Sequence, residues 1–337
     1  MSFKCFVIAE AGVNHNGDLS IARRLIDAAV TSGADVVKFQ TFRADLLVTK
    51  TAKKATYQEK NLGDLGLTQY EMLKRLELPL DAFKELKEYA EKSDIEFLST
   101  PFDFESADCI ESLVRRYKIS SGDCTNFPFL EYIASKGKPV ILSTGMASLT
   151  EVGKAVNLLK KVPLTLLHCT TNYPCPPEEV NLRAMHTLKK AFHLPVGYSD
   201  HTMGIEISIA AVAAGAEVLE KHFTLDRNMS GPDHRASLEP DELKNMIQAI
   251  RKVEMALGDG VKNPQPSEIS IASVARKSLF FSKDLQSGKI LEWSDVAIKR
   301  PGDGLAPAML DSVIGCRLTK AVKRDDPVTL KILENGS

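Results

Sequence analysis

The sequence predicts an α/β protein in which a (β/α)8 TIM barrel is followed by a small C-terminal domain. Eight short apolar segments alternate with amphipathic helical segments in the first two-thirds of the chain, and most of the apolar segments end in polar residues. Eight such units in about 250 residues match the size of a (β/α)8 barrel. An open doubly wound sheet is the alternative, although no Gly-x-Gly-x-x-Gly turn follows the first strand.

The predicted strands are short runs rich in β-branched and aromatic residues. Their alternation with helices predicts parallel pairing through right-handed crossovers. The eight strands are Phe6–Glu10, Asp35–Gln40, Glu96–Thr100, Tyr117–Ser121, Val140–Thr144, Leu164–Thr170, Val196–Thr202 and Val218–Thr224.

Capping residues indicate where the helices between these strands begin and end. Asp18 is the predicted N-cap of the first helix, and Gly33 ends it. A second helix is predicted over about 80–91, and the last helix of the barrel over about 240–257. A charged insertion, about 43–78, separates the second strand from its helix. Insertions of this length are usually functional loops, so we expect this one to lie over the site.

The composition changes after Gly258, where Gly, Pro and Ser become frequent. The predicted domains are therefore a barrel over 1–258, a linker over 259–275 and a compact domain over 276–337. The last domain has short strand-like segments and is too small for a large core, so we expect it to pack on another surface.

Charge and hydropathy predict a cytoplasmic enzyme. The net charge is −1, which favours neither a nucleic-acid nor an anionic-membrane partner. No apolar run approaches the roughly 20 residues of a membrane helix. The six cysteines contain no Cys-x-x-Cys pair, so we interpret them as reduced thiols rather than disulfides or zinc ligands.

Two consecutive predicted strands each end in a cluster that contains one histidine, His201 and His222. Parallel neighbours present their carboxyl ends side by side, so the two imidazoles can face one point and bind a divalent metal. The alternative is a pair of hydrogen-bonded core histidines. Glu10 and Glu220 could complete or support this site, or move protons.

Two lysines at strand ends, Lys38 and Lys118, suit an anionic group such as phosphate. The alternative is that each lysine extends out of the barrel to water. His168 and Cys169 are adjacent and so point to opposite faces, which disfavours cysteine catalysis. The polar residues expected to line the site are Glu10, Asn14, His15, Lys38, Gln40, Thr100, Lys118, Ser121, Asp123, Ser143, Asn172, Ser199, His201, Glu220, Lys221 and His222.

Polar motifs occur at or beside the ends of most of the predicted strands. They are Glu10–Gly17, Val37–Gln40, Ser99–Phe102, Lys118–Gly122, Leu142–Met146, Ser199–Thr202 and Glu220–Thr224. In order and spacing, over essentially the whole chain, this series resembles that of the sialic acid synthase family, which includes the legionaminate synthases. The region from Arg276, with Lys299–Gly304, resembles the C-terminal antifreeze-like (SAF, β-clip) domain of that family.

The resemblance implies a barrel that condenses phosphoenolpyruvate with N-acetylmannosamine to a nine-carbon 2-keto acid and phosphate. It also implies Mn²⁺, with Mg²⁺ as an alternative, on His201 and His222. Catalytic roles are implied for Glu10, Asp123 and Glu220, although the family usually has Glu at the position of Asp123. Phosphoenolpyruvate is expected to bind Lys38, Thr100, Lys118, Ser121, Ser143, Asn172 and Ser199.

By the same resemblance, the sugar is expected to contact Gln40, Tyr173, Asp233 and Arg300. Arg300 would come from the partner subunit of a domain-swapped homodimer, in which the SAF domain covers the partner's barrel. The alternative acceptor is 2,4-diacetamido-2,4,6-trideoxymannose, the substrate of legionaminate synthases. Other hypotheses are a synthase that uses a phosphorylated aldose, and a carbohydrate- or ice-binding protein with a degenerate barrel.

Overall fold

The computed structural model describes residues 4–55, 58–59, 61 and 66–335. The chain divides into two compact units, Met1–Asp259 and Gly260–Ser337. The first unit contains the predicted alternation of strands and helices, and its core lies between the strands and the surrounding helices. No helix within the described ranges is long and apolar enough to cross a membrane.

The first unit is built on eight parallel strands, which confirms the predicted α/β barrel. β1 pairs with both β2 and β8, and β3 and β4, at the two ends of the hydrogen-bonded order, lie side by side. The strands are β1 (Phe6–Gly12), β2 (Val36–Thr41), β3 (Glu96–Pro101), β4 (Tyr117–Ile119), β5 (Val140–Ser143), β6 (Leu164–His168), β7 (Val196–Asp200) and β8 (Val218–His222).

The register of the strands aligns the polar strand ends. Glu10 of β1 lies opposite Lys38 of β2 on one side and His222 of β8 on the other. Ser199 of β7 lies opposite Glu220 of β8. Because side chains alternate between the two faces of a strand, these residues can point to the interior at the same level of the barrel.

Helix boundaries follow the predicted caps. Asp18 Oδ1 accepts hydrogen bonds from Ser20 N and Ile21 N, and Gly33 ends α1 with a left-handed φ of 82°. The helices of this unit are α1 (Leu19–Ser32), α2 (Ala44–Leu47), α3 (Gln69–Leu76), α4 (Leu80–Lys92), α5 (Phe104–Glu111), α6 (Phe127–Ser135), α7 (Leu149–Leu159), α8 (Ala184–Phe192), α9 (Glu206–Ala213) and α10 (Pro240–Leu257).

The predicted insertion, 43–78, contains α2 and α3. Residues 56–57, 60 and 62–65 of this insertion lie outside the described part of the chain. Met72 and Leu76 of α3 are buried against Val13 and Phe42 of the barrel loops. The apolar side of the insertion therefore faces the barrel rather than solvent.

The second unit begins within the predicted linker, where residues 266–275 form a helix, α11 (Pro266–Ala275). A small separate core includes Leu279, Phe281 and Val328. Two pairs of short antiparallel strands surround it, with one short helix. These elements are β9 (Ser278–Phe281), β10 (Val296–Lys299), α12 (Leu310–Val313), β11 (Arg317–Leu318) and β12 (Leu333–Glu334).

Candidate active site

The carboxyl ends of the barrel strands surround a cavity of about 320 Å³. Its lining combines strand-end residues with residues of the βα loops, which is where barrel enzymes place their active sites. The sequence-predicted residues that line it are Glu10, Lys38, Gln40, Thr100, Lys118, Ser121, Ser143, Tyr173, Ser199, His201, Glu220, His222 and Asp233.

Lys38 lies at the centre of a buried charge cluster. Its Nζ is 2.6 Å from Glu10 Oε2 and 3.6 Å from Glu220 Oε2. It also donates a hydrogen bond of 2.9 Å to Thr100 Oγ1. The lysine therefore stays inside the barrel, and the alternative in which it extends to water does not hold.

Lys118 contacts the same cluster through the other carboxylate oxygen of Glu220. Its Nζ is 3.4 Å from Glu220 Oε1 and donates to Ser143 Oγ at 2.8 Å. Ser199 Oγ donates to Glu220 Oε1 at 2.8 Å. Glu220 thus bridges the two lysines, and hydroxyl groups from neighbouring strands surround the three charges.

Burial is the largest influence on the pKa values of the charged groups in this cluster. Burial raises the pKa of Glu10 above its ordinary value, although Lys38 opposes the shift. Burial also pushes the pKa of Glu220 upward, but Lys118 and Lys38 outweigh it and hold that pKa below its ordinary value. Burial lowers the pKa of Lys118. Groups with strongly perturbed pKa values in one cavity are typical of active sites.

His201 and His222 lie together at the rim of this cluster, with ring centroids 5.8 Å apart. His201 Nδ1 is 2.7 Å from the carbonyl of Thr170, so it carries the proton and leaves Nε2 with a lone pair. Burial lowers the pKa of His201 to about 4 and that of His222 well below its ordinary value. Both imidazoles are therefore neutral at pH 7.

Neutral imidazoles with free lone pairs are the form that binds divalent metals. His222 Nδ1 is buried and has no hydrogen-bond partner within the described residues, so this nitrogen is available to a ligand. Across the described ranges, however, no three His, Cys, Asp or Glu residues are grouped to hold a metal ion. The pair fits a cation whose other positions are filled by water or substrate.

Three of the residues that the resemblance predicts to contact the sugar border the same cavity. Gln40 Nε2 donates to Glu10 Oε1 at 3.2 Å. The Tyr173 ring lies 4.0 Å from the His201 ring, centroid to centroid. Asp233 is buried, and burial raises its pKa to about 6. Pro232, the residue before Asp233, accepts a hydrogen bond at its carbonyl from Asn61 Nδ2 of the insertion, at 2.6 Å.

Three residues with predicted catalytic or substrate-binding roles do not line the cavity. The Asp123 carboxylate accepts hydrogen bonds from Ser120 Oγ and Asn126 Nδ2, while the adjacent Gly122 borders the cavity. Asn172 is exposed, although both of its chain neighbours line the cavity. Arg300 is an exposed residue of the second unit. The roles assigned to these three residues stay predictions.

Some of the polar strand-end residues expected at the site point elsewhere. Lys221 Nζ donates to Asp200 Oδ2 at 2.9 Å on the outer face of β7 and β8, because neighbouring residues of a strand point to opposite faces. Asn14 Nδ2 donates to the carbonyl of Phe223, and His15 Nδ1 accepts from Gly17 N. The expectation that Asn14, His15 and Lys221 line the site is therefore wrong.

The apolar lining of the cavity was not predicted from the sequence, where the insertion was interpreted only as a charged loop over the site. Hydrophobic residues recur at helical spacing in 69–76, and this amphipathic pattern was the available signal. The apolar residues concerned are Val13, Phe42, Leu47, Val48, Met72, Leu73, Leu76 and Phe102.

Comparisons with known proteins match this arrangement over almost the whole chain. The NeuB family model matches residues 25–262, and the SAF domain model matches residues 276–334. The chain is 51% identical over 329 residues to the N,N'-diacetyllegionaminic acid synthase of Campylobacter jejuni, covering 96% of this chain and 98% of that protein. It is 50% identical to the synthase of the same name from Legionella pneumophila, and the match covers 94% of this chain and 91% of that protein.

Among solved structures, the chain resembles the N-acetylneuraminic acid (sialic acid) synthetase from Leptospira borgpetersenii, determined in complex with citrate. The TM-score is 0.70 at 39% sequence identity, and the match covers 80% of this chain and 90% of that one. Both sequence and fold therefore relate the chain to synthases named for nine-carbon acidic sugars.

Proposed function

This chain belongs to the NeuB family, and we propose that it joins phosphoenolpyruvate to an N-acetylated amino sugar. The observation that carries this proposal is the buried pair Lys38 and Lys118, whose ammonium groups face one cavity amid hydroxyl donors. A small trianion is the kind of ligand that two such lysines recognise. The relatives are named as synthases of diacetyllegionaminic acid and N-acetylneuraminic acid, which agrees with this reaction.

The reaction forms one carbon–carbon bond and breaks one carbon–oxygen bond. The methylene carbon of phosphoenolpyruvate bonds to the aldehyde carbon of the open-chain sugar. Water then adds to the former enol carbon, and the bond from this carbon to the bridging oxygen breaks. The products are a 2-keto acid and inorganic phosphate, so atoms and charge balance without an oxidant or reductant.

The strand-end residues of the barrel would bind phosphoenolpyruvate. Lys38 and Lys118 supply positive charge, and both are already held in place by hydroxyl and carboxylate partners. Preorganised donors of this kind lose little conformational freedom when the ligand binds. We assign the same role to Thr100, Ser121, Ser143, Ser199 and the exposed Asn172.

Glu10 is the group we assign to proton movement. Its carboxylate sits between Lys38 and Gln40, and burial raises its pKa toward the range in which a carboxylate exchanges protons at neutral pH. Glu220, whose pKa is held low, would stay ionised and keep both lysines charged. Asp123 is the further catalytic residue predicted by resemblance.

His201 and His222 are the residues we expect to hold Mn²⁺ or Mg²⁺. When bound, such a cation would polarise the aldehyde oxygen of the acceptor as a Lewis acid. The protein's own contribution is to keep both imidazoles neutral through burial and to fix the His201 tautomer through the Thr170 carbonyl.

The first candidate acceptor is 2,4-diacetamido-2,4,6-trideoxymannose. Two relatives at 51% and 50% identity are named for the diacetylated product, whereas the sialic acid synthetase structure is 39% identical. N-acetylmannosamine, the acceptor that the family resemblance put first, is the second candidate. Gln40, Tyr173 and Asp233 would contact either sugar from the rim of the cavity.

We also propose a homodimer in which the SAF unit of one subunit covers the barrel of the other and supplies Arg300. The resemblance to the sialic acid synthase family is what supports it, together with the small core of this unit. Action in the cytoplasm stays a prediction, and the six free cysteines agree with it.

Phosphate release from phosphoenolpyruvate tests the proposed function. The purified protein is supplied with Mn²⁺ and either acceptor sugar, and His201→Ala is the matched control. We expect release that depends on the sugar, is faster with the trideoxy sugar, and is lost in His201→Ala. Folded, metal-loaded protein that releases no phosphate with either sugar would contradict the proposal.

A further inference from the structure

The cavity has two chemically different sides. Strand ends supply the charged side, where Lys38, Lys118 and Glu220 meet. The insertion supplies the apolar side, with Leu47 at the end of α2 and Leu73 in α3. A ligand that fills the cavity therefore needs an anionic part and an apolar part.

The apolar side is a packed surface rather than a loose loop. Phe42 and Phe102 contact each other edge to face, with ring centroids 6.3 Å apart. Met72 and Leu76 of α3 are buried against this aromatic pair, while Leu73 and Leu47 stay partly open to the cavity. We refer to Phe42, Leu47, Met72, Leu73, Leu76 and Phe102 as the apolar wall.

Polar contacts anchor the wall to the barrel and hold its two helices together. Arg43 N donates to Asp103 Oδ2 at 3.1 Å, at the start of α2. Ala44 N donates to Glu77 Oε2 at 3.2 Å and so joins the start of α2 to the end of α3. Tyr70 OH donates to Asp45 Oδ1 at 2.8 Å. The wall thus has a defined position relative to the strand ends.

The chemistry of the two substrates decides which part meets this wall. Phosphoenolpyruvate is almost entirely carboxylate and phosphate, so the lysine side satisfies it. A sugar hydroxyl placed against leucine side chains would lose its hydrogen bonds to water without replacement. A methyl group in the same place would gain from burial. The wall therefore favours an acceptor that carries methyl groups where an unmodified hexosamine carries hydroxyls.

We propose that the apolar wall is the specificity-determining subsite for the acceptor, and that it takes the methyl groups of a 6-deoxy, 4-acetamido sugar. This inference rests on the proposed function and deepens it. Leu47 and Leu73 are its principal residues, because they border the cavity without being fully buried in the core.

The experiment compares Leu47→Asn and Leu73→Asn with the matched control Leu46→Asn. Leu46 precedes Leu47 in the same helix, but its side chain is 55% exposed and does not line the cavity. For each variant, kcat/KM is measured with 2,4-diacetamido-2,4,6-trideoxymannose and with N-acetylmannosamine, together with the KM for phosphoenolpyruvate. Thermal unfolding is recorded for every variant, and Leu73→Met serves as the conservative replacement.

We expect the two cavity variants to lose about tenfold more kcat/KM with the trideoxy sugar than with N-acetylmannosamine, since one apolar contact discriminates by about this factor. The KM for phosphoenolpyruvate should stay within about twofold, because the wall has no charged residue that would bind this anion. Leu46→Asn should behave like the wild type, and Leu73→Met should keep the wild-type preference between the two sugars because it keeps the wall apolar.

Failure of the inference and failure of the proposed function give different results. An active wild-type enzyme whose preference between the sugars is unchanged in both cavity variants overturns the inference alone. An equal loss with both sugars, or a change confined to phosphoenolpyruvate, does the same. A folded wild-type protein that turns over neither sugar overturns the proposed function, and the subsite assignment falls with it.

Discussion

The charged groups at the bottom of the cavity stabilise one another in pairs. Each of Lys38 and Lys118 faces at least one carboxylate, and Glu220 lies between the two lysines. Burying any one of these charges alone would be strongly unfavourable. The carboxylates therefore oppose the loss of either ammonium charge and fix both groups in position before an anionic substrate arrives.

Asp233 differs from these carboxylates because burial alone perturbs it. Its pKa is raised from an ordinary 3.8 to about 6, so the folded protein favours the protonated form. A carboxyl group with a raised folded-state pKa costs stability as pH rises from its unfolded pKa through its folded pKa. The destabilisation by Asp233 should therefore develop between pH 3.8 and about pH 6 and be complete at higher pH.

Asp233→Asn should remove this destabilisation, because the amide does not ionise. We expect the stability advantage of the variant over the wild type to grow by about 1 kcal/mol between pH 5 and pH 8. Chemical denaturation at the two pH values measures it. The control is Asp94→Asn at an exposed left-handed position that Asn also tolerates, with an expected effect below about 0.5 kcal/mol. An advantage independent of pH would contradict the role given to burial.

At the scale of the elements, β7 and β8 use both of their faces. The inner face carries the histidine and glutamate side chains of the site. On the outer face, Lys221 Nζ donates to Asp200 Oδ2 and to the carbonyl of Thr202. Both side chains of this ion pair are fully buried. The pair joins the two strands at the residues that immediately precede His201 and His222 in the chain.

Lys221→Met should destabilise the protein by about 3–5 kcal/mol, because it leaves the Asp200 charge buried without its cation. Urea denaturation followed by circular dichroism measures the loss. The double variant Asp200→Asn/Lys221→Met should recover part of it, since no unpaired charge remains. If the double variant loses at least as much unfolding free energy as the two single variants lose together, the two residues do not act as a pair.

The whole molecule consists of two units with separate cores. The proposed domain swap requires that each active site combine His201 of one subunit with Arg300 of the other. Closed twofold symmetry then gives two equivalent sites in each dimer. This arrangement can be tested by mixing two defective subunits.

Arg300→Ala and His201→Ala homodimers should each be nearly inactive. After co-expression, about half of the dimers are mixed, and a swapped mixed dimer has one intact site and one site with both defects. We therefore expect phosphate release to recover to about a quarter of the wild-type rate per subunit. If Arg300 acts within its own subunit, every site keeps one defect and co-expression restores nothing.

The sequence by itself determined the barrel and most of the polar residues around the cavity. Parallel strands end at one rim, so polar residues at predicted strand ends had to converge there, as Lys38, Lys118, His201 and His222 do. Local patterns were sufficient because strand period and helix caps depend on neighbouring residues. Asp18 and Gly33, for example, cap the two ends of α1 as predicted.

Only the tertiary structure decided which polar residues face the cavity and what forms its apolar side. Lys221 follows Glu220 in the chain, yet it pairs with Asp200 on the outer face of the strands. Strand alternation puts the two residues on opposite faces, but which of them faces the cavity depends on how the strand packs. Leu47 and Leu73 reach the cavity only because α2 and α3 pack back on the barrel loops. Such contacts between distant segments depend on complementary shape across the core, which no local sequence pattern encodes.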